Sequence, residues 1–147
     1  MNRPALALLI VAALAACERA LPPPDQIADG TWGGEDSGLI VQQGAAHLHI
    51  GCTFGDFVAP VALDRQGRFN VQGSYMLRAY PVAVGPSFPA TFAGFVRGDE
   101  LTIAVVVNDT IQHESVTRGP VTLVLGRDPR MGPCPICLEP PSMVSPR

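Results

Sequence analysis

The sequence predicts an all-β domain, and three observations carry that expectation. Breakers are dense: Gly and Pro contribute 15 residues each to a chain of 147, well above their usual joint share of roughly an eighth. Apolar residues reach 47% and charged ones only 16%, a mixture too apolar for disorder throughout and too interrupted for a helix bundle. Along the middle of the chain the apolar period is two rather than 3.6, the mark of half-buried strands.

The elements follow in order. Gly30-Thr31-Trp32 opens the first strand and holds the only Trp. Leu39 and Val41 alternate with Ile40 and Gln42. Ala46, Leu48, Ile50 and Cys52 share one face, with His47 and His49 on the other. Phe69, Val71, Gly73 and Tyr75 alternate with Arg68, Asn70, Gln72 and Ser74. Leu101, Ile103, Val105 and Val107 oppose Thr102, Ala104 and Val106, a weak alternation that suggests burial on both sides. Val121, Leu123 and Leu125 alternate with Thr122 and Val124. Turn signals separate these runs: Gly33-Gly34, Gln43-Gly44, Asp64-Arg65-Gln66-Gly67, Arg97-Gly98-Asp99 and Asn108-Asp109. The spacing gives about seven or eight strands in a single antiparallel meander that curls into a small barrel or a two-layer β-sandwich. Pro81–Pro89 is the longest break and reads as a rim loop.

Four stretches divide the chain. Residues 1–16 read as a signal peptide, 17–29 as a tether, 30–126 as the β-domain and 127–147 as a Pro- and Cys-rich extension. Pro22-Pro23-Pro24 favours extended polyproline II in the tether. In the extension, six Pro between Arg127 and Arg147 argue against regular structure. Net charge is −3. All ten basic residues are Arg and are scattered singly, so nucleic acid is not an expected partner.

Met1-Asn2-Arg3-Pro4 carries one positive charge, and Ala5 to Ala16 form an apolar run ending at Cys17. The run is too short to span about 30 Å of hydrocarbon and suits a signal peptide. Leu14-Ala15-Ala16-Cys17 resembles the lipobox of bacterial lipoproteins. That resemblance implies cleavage before Cys17, lipidation of its sulfur and acylation of its new amine. The membrane then becomes a partner through the lipid anchor, because two or more acyl chains hold stably where one does not. Glu18 after the modified Cys, by the sorting rule of some two-membrane bacteria, implies an outer-membrane location facing the periplasm.

The G-x-W of Gly30-Thr31-Trp32, followed by a meander, resembles the calycins. The resemblance implies a barrel closed at one end by Trp32, with Arg127 packed over its indole as a cation–π partner. A second resemblance covers most of the mature chain: G-T-W-G-G-E (Gly30–Glu35), Cys52, L-D-x-x-G-R-F (Leu63–Phe69) and G-R-x-P-R followed by Cys (Gly126–Cys134). These look like a family of small exported bacterial proteins with no assigned activity.

With Cys17 lipidated, Cys52, Cys134 and Cys137 remain in an oxidising compartment. An odd count means one pair and one leftover thiol. A Cys52–Cys134 bridge would close a loop of about 82 residues and stabilise by about 4 kcal/mol on the chain-entropy argument. The rival is Cys134-Pro135-Ile136-Cys137 as a CxxC redox pair. Such pairs sit at a helix N-terminus, and none follows here, which favours the bridge.

His47 and His49 are neighbours on one strand face, and with His113 or a carboxylate they could ligate a metal such as zinc. The inward alternation of Leu48 and Ile50 instead leaves both histidines on the solvent face. No metal and no cofactor is therefore expected, with His47 and His49 the candidates if one exists. Asp36 with Ser37 and Asp99 with Glu100 read as turn residues, and no G-x-S-x-G, H-E-x-x-H or phosphate loop occurs. A non-enzymatic envelope lipoprotein is expected. It would bind a small apolar or amphipathic ligand at the barrel mouth, or meet an envelope protein partner through its surface.

Overall fold

A computed structural model describes residues 24–77 and 85–134. The signal segment, Cys17, residues 81–84 of the proline-rich break and Cys137 lie outside the described residues. Eight strands follow one another: β1 (Gly30–Gly34), β2 (Ser37–Gln42), β3 (Ala45–Ile50), β4 (Thr53–Val58), β5 (Arg68–Met76), β6 (Ser87–Arg97), β7 (Glu100–Asp109) and β8 (Glu114–Leu125). Each pairs antiparallel with the next, and β8 returns to β1, so the meander closes into a barrel and not a sandwich. No helix occurs among the described residues.

Gln43-Gly44, Asp64–Gly67 and Gly98-Asp99 turn as expected, but Gly33-Gly34 ends β1 and Asn108-Asp109 ends β7, so those two turns come later, at Glu35-Asp36 and at Thr110–His113. Gln43 and Gly44 take φ of 52° and 84° between β2 and β3, the left-handed pair that matches the twist of two flanking strands. Asp64 accepts hydrogen bonds from the backbone N–H groups of Gln66 and Arg68, both 2.8 Å. Those two donors, Arg68 first, hold its carboxyl below the usual carboxylate range.

Strand alternation sorts the residues into two shells. One inward row runs across the registers as Trp32, Leu39, Leu48, Gly55, Tyr75 and Phe88. A second holds Val41, Ala46, Phe57, Gly73, Ala90 and Val107. Trp32, Leu39, Leu48, Tyr75 and Phe92 are at most 1% exposed, so the barrel axis is filled with side chains. Eight strands enclose a space about wide enough for such a core. Phe92 sits at the centre, its ring 4.6 Å from Phe57 and 6.2 Å from Tyr75 between centroids. Room for it comes from Gly55 and Gly73: a Cβ on Gly73 would lie 2.8 Å from the Phe92 ring, and one on Gly55 would strike Tyr75. The buried Tyr75 hydroxyl donates to Thr53 Oγ1 at 2.8 Å, whose own proton goes to the Ile50 carbonyl at 2.7 Å. Burial raises the Tyr75 pKa above its ordinary value.

Several expectations need correction. Leu101–Val107 is not buried on both sides: the inward set is fully covered, but Val106 is 46% exposed on the outer wall. Cys52 does not continue the inward face of β3, because β3 stops at Ile50 and Cys52 lies in the β3–β4 turn. Ser87–Pro89 is not rim loop but the start of β6. Pro89 pairs with Ser74 of β5 before the β7 ladder begins at Ala90, an edge-like place where a missing N–H is tolerated. The last strand begins at Glu114, not Val121, and passes through a bulge where the register jumps from Ile103↔Val121 to Val105↔Arg118. Gly119, with φ 83°, and Pro120 occupy that jump. The end of the tether also belongs to the body: Ile27 is 1% exposed, and its N–H donates to the Val61 carbonyl.

Trp32 has its indole N–H donating to the Ala28 carbonyl at 3.0 Å. Such a fully enclosed aromatic leaves a large cavity when truncated. Trp32→Ala is expected to cost about 3–5 kcal/mol in denaturant unfolding; a loss below about 1 kcal/mol would contradict the enclosed position.

Candidate functional site

With the interior committed to packing, chemistry is left to the outer wall and the barrel ends. Two outward rows meet on β3. One runs Thr31, Ile40, His47, Asp56 and Ser74, and the other Gly33, Gly38, His49, Phe54 and Met76. His47 and His49 thus face out as expected. Their geometry was not legible in the sequence. His47 Nδ1–H donates to Asp56 Oδ1 at 2.6 Å, and the Nε2 atoms of His47 and His49 lie 2.8 Å apart. An ionised carboxylate only accepts, so the Asp56 bond puts the His47 proton on Nδ1 and leaves its Nε2 lone pair to accept from His49 Nε2–H. Phe54 packs beside both rings, 5.3 Å from each between centroids. Burial, then the neighbouring His47, lowers the His49 pKa below its ordinary value against a smaller raising effect of Asp56, so His49 is neutral at neutral pH.

The chain after β8 forms a strap that reaches this wall. Gly126 N–H donates to the Thr31 carbonyl at 2.8 Å, Arg130 N–H to Gly34 at 3.0 Å, and Asp36 N–H to Arg130 at 2.8 Å. The strap lies against bare backbone. A Cβ on Gly33 would collide with the carbonyls of Arg127 and Asp128, and one on Gly38 would lie 2.5 Å from Pro129 Cγ. Gly132 N–H donates to Asp36 Oδ1 at 3.2 Å. Beyond it Cys134 pairs with Cys52, their Cα atoms 5.4 Å apart. Gly38, Ile40, His47, His49, Pro129 and Met131 then line a largely apolar, solvent-open cavity of about 150 Å³. Met131 belongs to this site without any signal in strand periodicity, because it arrives on the strap.

The other candidates resolve simply. Arg127 does not cap Trp32: it is exposed, and the one cation–π contact among the described residues sets Arg97 4.9 Å over Phe95. Gly30 takes φ 135° where β1 begins. Ser37 is fully buried and donates to the Glu35 carbonyl at 2.9 Å, while Asp36 and Asp99 sit in turns. His113 lies in the β7–β8 turn, apart from His47 and His49 in the register. Among the described residues, no three of His, Cys, Asp and Glu gather around a common point. A second cavity, of about 280 Å³, opens at the barrel end between Leu77, Phe88, Val116, Arg118 and the β7–β8 turn.

No described helix is long and apolar enough to cross a membrane. Comparisons of the chain with protein-family models, curated proteins and solved structures gave no match.

Peptide mapping without reduction is expected to return a Cys52–Cys134 link. Cys52→Ser and Cys134→Ser should each lower stability by about 4 kcal/mol, and the double variant should lose little more, since both remove one bond. A Cys134–Cys137 link with Cys52 free would reject the pairing.

Proposed function

We propose that this chain is a non-enzymatic lipoprotein of the cell envelope, anchored through Cys17 and facing the periplasm from the outer membrane. Its work is done by the outer wall of a closed barrel against an envelope protein. The observation that supports this reading is the filled axis: Trp32, Tyr75 and Phe92, each at most 1% exposed, leave the inward positions to packing. What remains for recognition is the wall, where Ile40 and Met131 stay 41% and 43% exposed beside the histidine pair. Apolar groups of this kind, rimmed by polar ones, suit a protein contact.

A second reading rests on the cavity at the barrel end. Its lining joins Leu77, Phe88 and Val116 to Asp109, Glu114 and Arg118, which suits a small amphipathic ligand held at the mouth rather than along the axis. Its volume, about 280 Å³, lies just below the range of about 300–1,000 Å³ for small-molecule sites.

Metabolic labelling with a fatty acid is expected to mark the parent protein and not Cys17→Ser. Label on the variant would remove the anchor from the proposal. Crosslinking in membranes followed by capture is expected to recover an envelope protein that Ile40→Asp no longer recovers. If nothing exceeds background while native mass spectrometry of cell-purified protein finds a bound small mass, the mouth reading replaces the first.

A further inference from the structure

We propose that His47, His49 and Met131 form a site for monovalent copper on the outer wall of the barrel, with Asp56 as the group that orients His47. The inference goes beyond the anchor and the protein contact, and does not depend on either.

The first support is convergence. Metal–imidazole bonds run about 2.0 Å, and the two Nε2 atoms, 2.8 Å apart, already lie within reach of one ion. The second is orientation. Metal-bound histidines commonly donate their other ring N–H to a carboxylate, which fixes the tautomer and makes the ligating nitrogen more basic. The 2.6 Å bond from His47 Nδ1–H to Asp56 does this. Proton accounting is simple: the ion replaces the hydrogen shared between the two Nε2 atoms, and that proton moves to His49 Nδ1, so none need leave the pair.

The choice of ion follows from the donors. Two neutral imidazoles and a thioether bring no charge, and the cavity they line is walled by Ile40, Pro129 and the bare backbone of Gly38. Divalent zinc is held by four ligands and often by thiolate or carboxylate. A thioether is a soft donor that selects Cu(I). Met131, unbranched and with three rotatable bonds, can bring its sulfur to an ion held by the two rings.

The test uses the whole protein as purified from cells in detergent, whether or not Cys17 carries lipid, with Cys137→Ser so that this residue does not compete. Cu(I) is titrated without oxygen against a chromophoric Cu(I) chelator. One Cu(I) per chain is expected. His47→Gln and His49→Gln should each weaken binding by more than about a hundredfold, and Asp56→Asn and Met131→Leu by about 10–100-fold. X-ray absorption of the copper-loaded parent should show two nitrogen neighbours and one sulfur, a readout that no variant's folding can disturb. Absence of binding by the parent, an absorption spectrum without sulfur, or His49→Gln binding as tightly as the parent would overturn the proposal. Tighter binding of Zn²⁺ than of Cu(I) would overturn it as well.

Discussion

The barrel depends on how its first and last strands are held together. β1 and β8 meet through two residue pairs, Trp32↔Leu125 and Gly33↔Val124, whereas β5 and β6 are in register from Arg68↔Phe95 to Met76↔Ser87. A seam that short is the weakest line in the cylinder, and an unclosed sheet would expose two edges. The strap reinforces it from outside. Gly126 bonds back to Thr31, Arg130 bonds to both Gly34 and Asp36, and the Cys52–Cys134 pair fastens the far end to the β3–β4 turn. Three backbone bonds and one covalent tie carry this closure. The Arg130–Glu35 ion pair, 76% exposed at both ends, adds little, since solvent screens such pairs.

Closing the seam this way has a consequence on the outer wall. The strap can lie flat because Gly33 and Gly38 have no side chains beneath it. That path carries Pro129 and Met131 over β2 toward β3, where His47 and His49 stand. A residue about eighty positions downstream thus completes a cavity whose polar members lie on one early strand. Stability and site are linked through the same segment: what loosens the strap also removes Met131 from the histidines. Asp56, on β4, is independent of the strap, and its hold on His47 follows from the β3–β4 register alone.

Strand periodicity made the all-β class, the meander and most of β2, β3, β5 and β7 legible. It worked where one face met the core and the other met water. It failed where proline was read as a stop. Pro89 stands at a point of β6 with a partner on one side, and Pro120 sits in a bulge, two places where the missing N–H is tolerated. The inward position given to Cys52 failed because alternation was carried one turn too far, past the end of β3. The Arg127 expectation came from resemblance, and the strap sends that residue outward instead. His47 and His49 were visible as a pair. Their convergence and the arrival of Met131 were not, because both depend on register and on a segment with no period of its own.

The division between core and wall explains where function can reside. In an eight-stranded barrel of this width the inward residues are sized against one another. Gly55 and Gly73 are small because Phe92 is large, and a Cβ on either glycine would meet an aromatic ring. An inward polar group must find a partner inside, as Tyr75 does with Thr53 and through it with Ile50; otherwise it bears the penalty of an unmet hydrogen bond. Outward residues carry no such obligation, since water satisfies them. A chain of groups such as Asp56, His47 and His49, spaced closely enough to fix a tautomer and share one hydrogen between two ring nitrogens, is therefore not required by packing. The core accounts for Trp32, Phe92 and Tyr75 fully. It gives no reason for two imidazoles and a carboxylate to be aligned across β3 and β4, and the metal site proposed for the wall supplies one.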